Sequence, residues 1–219
     1  MRIQYLGHSC FRLTSASGTA VVTDPYRGVG YEMPKGVFSD IITVSHGHFD
    51  HNYISGVEGA FSVVNTAGEF QINDVEIVGV ESFHDSMQGV LRGKNCIFTI
   101  QMDGIRVCHF GDLGEEVSSE ILQKIGNVDV VLLPIGGTYT ITAEQAKEYV
   151  DALAPIAVIP MHYKPKDGAL DIDCAKNFLS LFDEKMIERA EKGEFDFSLS
   201  AWKSSGKKLL YMERMREYE

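Results

Sequence analysis

The residues with the most chemical content stand together in Ser45-His46-Gly47-His48-Phe49-Asp50-His51. Three of the chain's seven histidines fall within six residues, with an aspartate among them. An apolar, β-branched run over residues 41–45 leads into the cluster and has the character of a buried strand. Alternate residues of an extended chain point the same way, so His46 and His48 can offer imidazoles to one ion. Gly47 lets the backbone bend, and the turn that must follow can aim the adjacent Asp50 and His51 at a neighbouring position. Imidazole and carboxylate together suit zinc, and also iron, manganese or nickel.

A metal pair needs more ligands than this segment supplies. His84 follows a strand-like run at 75–80, Asp112 follows one at 105–110, and His162 follows one at 156–159. All three lie just past strand ends, where loops converge on one rim. His109 lies within its strand and reads as a core group. Asp85 adjoins His84, and neighbours in sequence diverge in direction, so it is not taken as a ligand. Residues 136–140 read as a tight strand-to-helix connection rather than an anion site. The sequence leaves open whether His8, Tyr139, Tyr163 or Lys164 touches a substrate.

Elements must position these groups. Strands are expected at 2–6, 9–14, 19–23, 41–45, 61–65, 75–80, 96–102 and 105–110, with Asp103-Gly104 as a hairpin turn. Helical spacing follows at 118–125. A continuous apolar strand is read at 128–134, and Thr142 with Gln145 forms a capping box for a helix to about residue 153. Asp173 opens a third helix with Ala175, Phe178, Leu179 and Phe182 on its apolar face. Residues 195–202 and 207–212 are expected to pair as a terminal hairpin. Buried strands in both halves need cover, which a two-sheet sandwich with helices outside provides.

On these motifs the chain resembles the metallo-β-lactamase superfamily. It is similar in particular to the small single-domain metal-dependent hydrolases of the ascorbate-6-phosphate-lactonase-like group. The resemblance is carried by Tyr5-Leu6-Gly7-His8, Thr23-Asp24-Pro25, the 46–51 cluster, Gly111-Asp112, Pro134-Ile135-Gly136-Gly137 and Pro160-Met161-His162-Tyr163. It implies a four-layer αββα sandwich with the site at one edge. It also implies that His46, His48 and His84 hold one metal, that Asp50, His51 and His162 hold a second, and that Asp112 bridges them. Asp24 would orient the histidine loop from behind. Two divalent ions, most simply zinc, would outweigh the carboxylates and favour an anionic substrate. Asp50 and Asp112 would be the catalytic carboxylates, with Asp50 or a metal-bound water as proton carrier. The implied reaction is hydrolysis of a lactone or other ester, with anionic and phosphorylated substrates among those implied. The alternatives are a phosphodiesterase on the same site, a diiron redox protein, or a non-enzymatic metal-binding protein. Antibiotic lactamases usually carry cysteine where this chain has Asp112 and lack the equivalent of His51, so lactamase activity is not expected.

Composition bounds the rest. The 219 residues are 44% hydrophobic and 23% charged, the balance of one globular domain spanning 1–219. A net charge of -11 disfavours general nucleic-acid binding. No apolar run approaches the roughly 18 residues of a membrane span, and no secretory leader is read at the N-terminus. The four cysteines, Cys10, Cys96, Cys108 and Cys174, form no CxxC pair and read as reduced thiols of a cytoplasmic protein.

Overall fold

Apolar residues in the N-terminal strands alternate between two destinations. In the computed structural model, which describes residues 1–216, one sheet contains β1 (Arg2–Gly7), β2 (Cys10–Thr14), β3 (Ala20–Thr23), β4 (Ile41–Thr43), β5 (Ser62–Val64) and β13 (Glu194–Asp196). Their order is β13-β1-β2-β3-β4-β5. Successive strand residues face opposite ways. Val21 and Ile41 therefore join the core between the sheets, while Val22 and Ile42 join a second cluster on the outer face. That outer cluster is closed by Tyr26, Val29, Met33, Val37 and Val57. The layer over this sheet is thus the 26–37 segment with a 3-10 turn at Ile54–Gly56 rather than a long helix.

The second sheet has eight strands: β6 (Gly68–Ile72), β7 (Val75–Phe83), β8 (Lys94–Met102), β9 (Ile105–His109), β10 (Val130–Pro134), β11 (Ala157–Met161), β12 (Ile187–Ala190) and β14 (Leu209–Met212). Their order is β12-β14-β11-β10-β9-β8-β7-β6. The β8–β9 hairpin closes on Asp103 and Gly104, with φ of 53° and 71°, the left-handed pair that a tight two-residue turn requires. Helices α1 (Ser119–Ile125), α2 (Ala143–Leu153) and α3 (Lys176–Leu179) pack on this side, α2 against β10 and α3. The capping box forms as expected: the Gln145 amide donates to Thr142 Oγ1 at 3.3 Å, and Gln145 Oε1 accepts from the Thr142 amide at 3.0 Å. Together the two sheets and their outer covers give the layered mixed α/β sandwich that was expected.

The C-terminal segment departs from expectation. Residues 195–202 and 207–212 do not form a hairpin. β13 pairs antiparallel with β1 in the six-stranded sheet, whereas β14 runs parallel to β11 and β12 in the other. Helix α4 (Leu199–Ser205) lies between them, and its Trp202 packs on Phe195 and Phe197. Ser198 caps this helix and Gly206 ends it, signals that outweigh the apolar alternation of the flanks. The third helix is shorter than expected. The Asp173 backbone is occupied instead, its amide donating to Gly136 O and its carbonyl accepting from the Lys164 amide. Ala175 and Phe178 are nonetheless buried. Among the described residues, no helix is long and apolar enough to cross a membrane.

Topology brings the loops to one rim. β3, β4 and β5 are parallel, as are β9, β10 and β11, so the C-terminal ends of each set share an edge. The antiparallel β1–β2 and β7–β8 pairs place the β1–β2 turn and the end of β7 at the same edges.

Candidate metal centre

Asp24 stands at the end of β3 with φ of 37°, a left-handed conformation that aspartate tolerates better than most side chains. Its carboxylate is fully buried. Oδ1 accepts from the Ser45 amide at 2.7 Å. Oδ2 accepts from Ser45 Oγ at 2.5 Å and lies 2.9 Å from His51 Nδ1. Ser45 Oγ is also 3.0 Å from His46 Nδ1. With the serine hydroxyl donating to Asp24, it accepts from His46 Nδ1–H. One carboxylate thereby sets the tautomer of both His46 and His51, leaving each Nε2 directed into the centre.

Asp112 follows β9, and its Oδ2 is the point on which the imidazoles converge. It lies 3.1 Å from His51 Nε2, 3.1 Å from His84 Nε2, 3.2 Å from His162 Nε2 and 3.9 Å from His46 Nε2. His48 Nδ1 is 3.0 Å from His46 Nε2. Among the described residues the donor atoms form three groups within 4.8 Å: His46, His48 and His84; His8, Asp50, His51 and His162; and Asp24, His46 and His51, the last already joined by the hydrogen bonds behind the centre. The seven residues singled out from sequence are thus brought together. His8 is the addition. Its Nε2 is 3.1 Å from His51 Nε2 and 3.4 Å from Asp50 Oδ2.

His8 is held by its backbone. Its amide donates to Tyr31 Oη at 3.0 Å, and its carbonyl accepts from Tyr5 Oη at 3.0 Å and from the His162 amide at 2.9 Å. Both His8 and His162 have left-handed φ, 54° and 50°. Strained backbone of this kind persists where surrounding structure fixes a functional geometry. A lone histidine in a hairpin turn gives little sequence signal. Its position beside Gly7, in the turn before β2, and its place in the Tyr5–His8 motif of the resemblance are the clues.

The electrostatics follow from this packing. Burial would keep His51 neutral, but Asp112 and Asp24 on either side raise it well above the ordinary histidine value. Burial also opposes charge on Asp112, yet His162 and His51 hold its carboxyl ionised. His8 is pushed down to about 4 by burial and by His162. His46 is pushed down to about 3 by burial and by His51. Neutral His8 and His46 beside the ionised Asp112 are in the protonation states that metal ligation requires, whereas His51 must release a proton when a cation binds. Asp112 Oδ1 is buried without a hydrogen-bond partner among the described residues. A carboxylate with one oxygen amid three imidazole nitrogens and the other unpaired fits a cationic occupant.

Neighbouring groups take the places their chemistry suggests. His109 stands apart, its Nε2 2.8 Å from Ser9 O. Asp85 points away from the centre and accepts four backbone amides. The amides of Gly137, Tyr139, Thr140 and Ile141 are engaged by backbone carbonyls, so this loop is a connection. Tyr163 is buried and donates to Met212 O, and the Lys164 amide bonds Asp173 O. Asn95 was not singled out from sequence, yet its Oδ1 accepts the Asp112 amide at 2.9 Å and its Nδ2 donates to Phe110 O, fixing the ligand loop. Gly114 lies so close to the His84–Asp85 backbone that a Cβ there would meet Asp85 N at 2.5 Å.

The geometry has counterparts. Residues 2–162 match the model of the beta-lactamase superfamily domain. The protein belongs to the metallo-β-lactamase superfamily. A UPF0173 metal-dependent hydrolase of Pyrococcus furiosus is 30% identical over 192 residues, spanning 74% of this chain and 84% of the relative. A second, from Thermoplasma acidophilum, is 30% identical over 193 residues, spanning 76% and 85%. A crystal structure from Thermotoga maritima, assigned as a zinc-dependent hydrolase of the metallo-β-lactamase superfamily, is 38% identical and superposes with a TM-score of 0.80 over 98% of this chain and 99% of that one. A metallo hydrolase of Ignicoccus hospitalis, 21% identical with a TM-score of 0.66, shares the superfamily fold.

Proposed function

We propose that the protein is a hydrolase acting through two divalent cations, most simply zinc, on an ester or lactone of a small anionic molecule. The convergence of His46, His51, His84 and His162, from three strand ends, on Asp112 Oδ2 carries this reading. His46, His48 and His84 would hold one ion. Asp50, His51 and His162 would hold the other, and Asp112, with two oxygens, would span both. When bound, the ions supply hydroxide at neutral pH and polarise the carbonyl or phosphoryl oxygen of the substrate.

The chain's own groups do the remainder. Asp24 fixes the ring faces of His46 and His51. Although burial opposes it, His8 and His51 hold the Asp50 carboxyl well below the usual carboxylate range. Asp50 therefore stands ionised and ready to accept a proton, and it retains some solvent exposure through which to pass it on. The imidazoles outnumber the carboxylates at the rim, so bound cations leave a net positive site that suits an anionic substrate and a developing oxyanion.

The test combines metal analysis with a lactone panel and bis-p-nitrophenyl phosphate. His48→Ala and Asp112→Ala are expected to lower bound metal and abolish hydrolysis while circular dichroism stays native. Full activity in metal-stripped protein would overturn the reading. Turnover of the phosphodiester alone would move the substrate class to phosphodiesters.

A further inference from the structure

Nine large apolar side chains are exposed among the described residues, and five of them lie on the loops that carry ligands or on the connection tied to one: Phe49 (55% exposed), Met87 (55%), Val90 (75%), Leu91 (64%) and Tyr139 (38%). Phe49 stands between His48 and Asp50. Met87, Val90 and Leu91 lie in the loop that begins at His84. This loop is built. The buried Asp85 carboxylate accepts the amides of Met87 at 2.8 Å, Gly89 at 2.9 Å, Leu91 at 3.0 Å and Arg92 at 2.8 Å. The Gly93 amide closes its base on Gly89 O at 2.9 Å. Arg92 Nη2 donates to Thr138 O at 3.2 Å, and its guanidinium lies 5.5 Å over the Tyr139 ring, tying the loop to the connection after β10.

An ordered turn that presents Met87, Val90 and Leu91 to water beside His84 has one evident use, to cover an apolar group brought to the centre. We propose that this lip seats the hydrocarbon part of an amphipathic substrate, so that the hydrolysed compound carries an alkyl or acyl chain next to its scissile bond. The inference rests on the hydrolase reading and narrows its substrate class. The occupant is taken to be the substrate because the loops that present these apolar side chains also carry His48, Asp50 and His84. In the reaction, the oxygen of water bonds to the acyl carbon, the ester C–O bond breaks, and the alcohol leaves with a proton from water.

The test compares p-nitrophenyl acetate with p-nitrophenyl hexanoate in the zinc-loaded protein and in Met87→Ser/Val90→Ser/Leu91→Ser. Four added methylenes, each worth up to about a fourfold gain when fully buried, leave room for a preference of at least about tenfold on a half-open lip. The hexanoate-to-acetate ratio of kcat/KM is expected to be at least about tenfold in the parent and to fall toward unity in the triple variant. Calorimetric titration of hexanoate and acetate reads the same preference without turnover. If neither ester is hydrolysed but hexanoate binds at least about tenfold tighter, and only to the parent, the lip stands and the ester reading falls. Equal binding of the two acids, or a preference that survives the triple substitution, overturns the lip. So does sedimentation showing that the substitutions split a dimer, or vesicle flotation showing that they release the parent from phosphatidylcholine.

Discussion

Asp24→Asn isolates what one buried charge does for the centre. Asparagine keeps the shape and tolerates the left-handed backbone at this position, so strain is not introduced. With Oδ1 retained toward the Ser45 amide, the new NH₂ replaces Oδ2, which now accepts from Ser45 Oγ and faces His51 Nδ1. Two charge-assisted bonds are lost, at roughly 1.5 kcal/mol each, so the metal-free protein should lose about 3 kcal/mol of stability. The tautomers should change as well. The amide would donate to Ser45 Oγ and His51 Nδ1, turning the proton of each ligand ring toward the centre. Loss of such supporting bonds typically weakens metal affinity about 10- to 100-fold. Urea denaturation after chelation reads the first effect, and zinc competition with a chromophoric chelator reads the second. An unchanged urea midpoint together with unchanged zinc affinity would refute this account of Asp24.

Three further outcomes are expected. Gly114→Ala forces a Cβ against the His84–Asp85 backbone, so it should cost about 1–3 kcal/mol and lower retained metal on dialysis, checked by thermal melting and elemental analysis. Burial pushes the thiols of Cys96 and Cys108 up to about 12 and raises Cys10 well above its ordinary value, while Cys174 is exposed and free. A disulfide reagent should therefore titrate one thiol in the native protein and all four after denaturation. Asp74 is held down to about 2 by hydroxyl bonds from Ser17 and Thr19. Its contribution to stability is complete above the unfolded carboxylate value and is lost as pH falls through 2, so Asp74→Asn should flatten acid denaturation between about pH 4 and 2.

Much of the centre was legible because ligand chemistry is local. His46, His48, Asp50 and His51 share one loop, and His84, Asp112 and His162 each follow an apolar run that could only be a buried strand. The Asp103-Gly104 turn and the Thr142–Gln145 cap were legible for the same reason, since each is complete within four residues. What sequence did not reveal depends on distant partners. His8 joins the centre only because β1 and β2 turn at the rim where β4 and β11 also end. β12 and β14 are parallel neighbours drawn from separated segments, and β6 is an edge strand with little apolar content. The terminal hairpin does not form, although adjacent β-prone runs usually pair with each other, because each run pairs with a partner in a different sheet.

That division of the last strands between two sheets has a bearing on biosynthesis. β12 and β13 form one border of the eight-stranded and the six-stranded sheet respectively, and β14 fills an interior slot between β12 and β11. A nascent chain emerging from the ribosome can assemble its ligand loops early, but neither sheet is finished until residues 187–212 have emerged, since long-range pairing waits for its partner. Until then the first strand keeps an unpaired flank, a state in which nascent chains most need protection from one another.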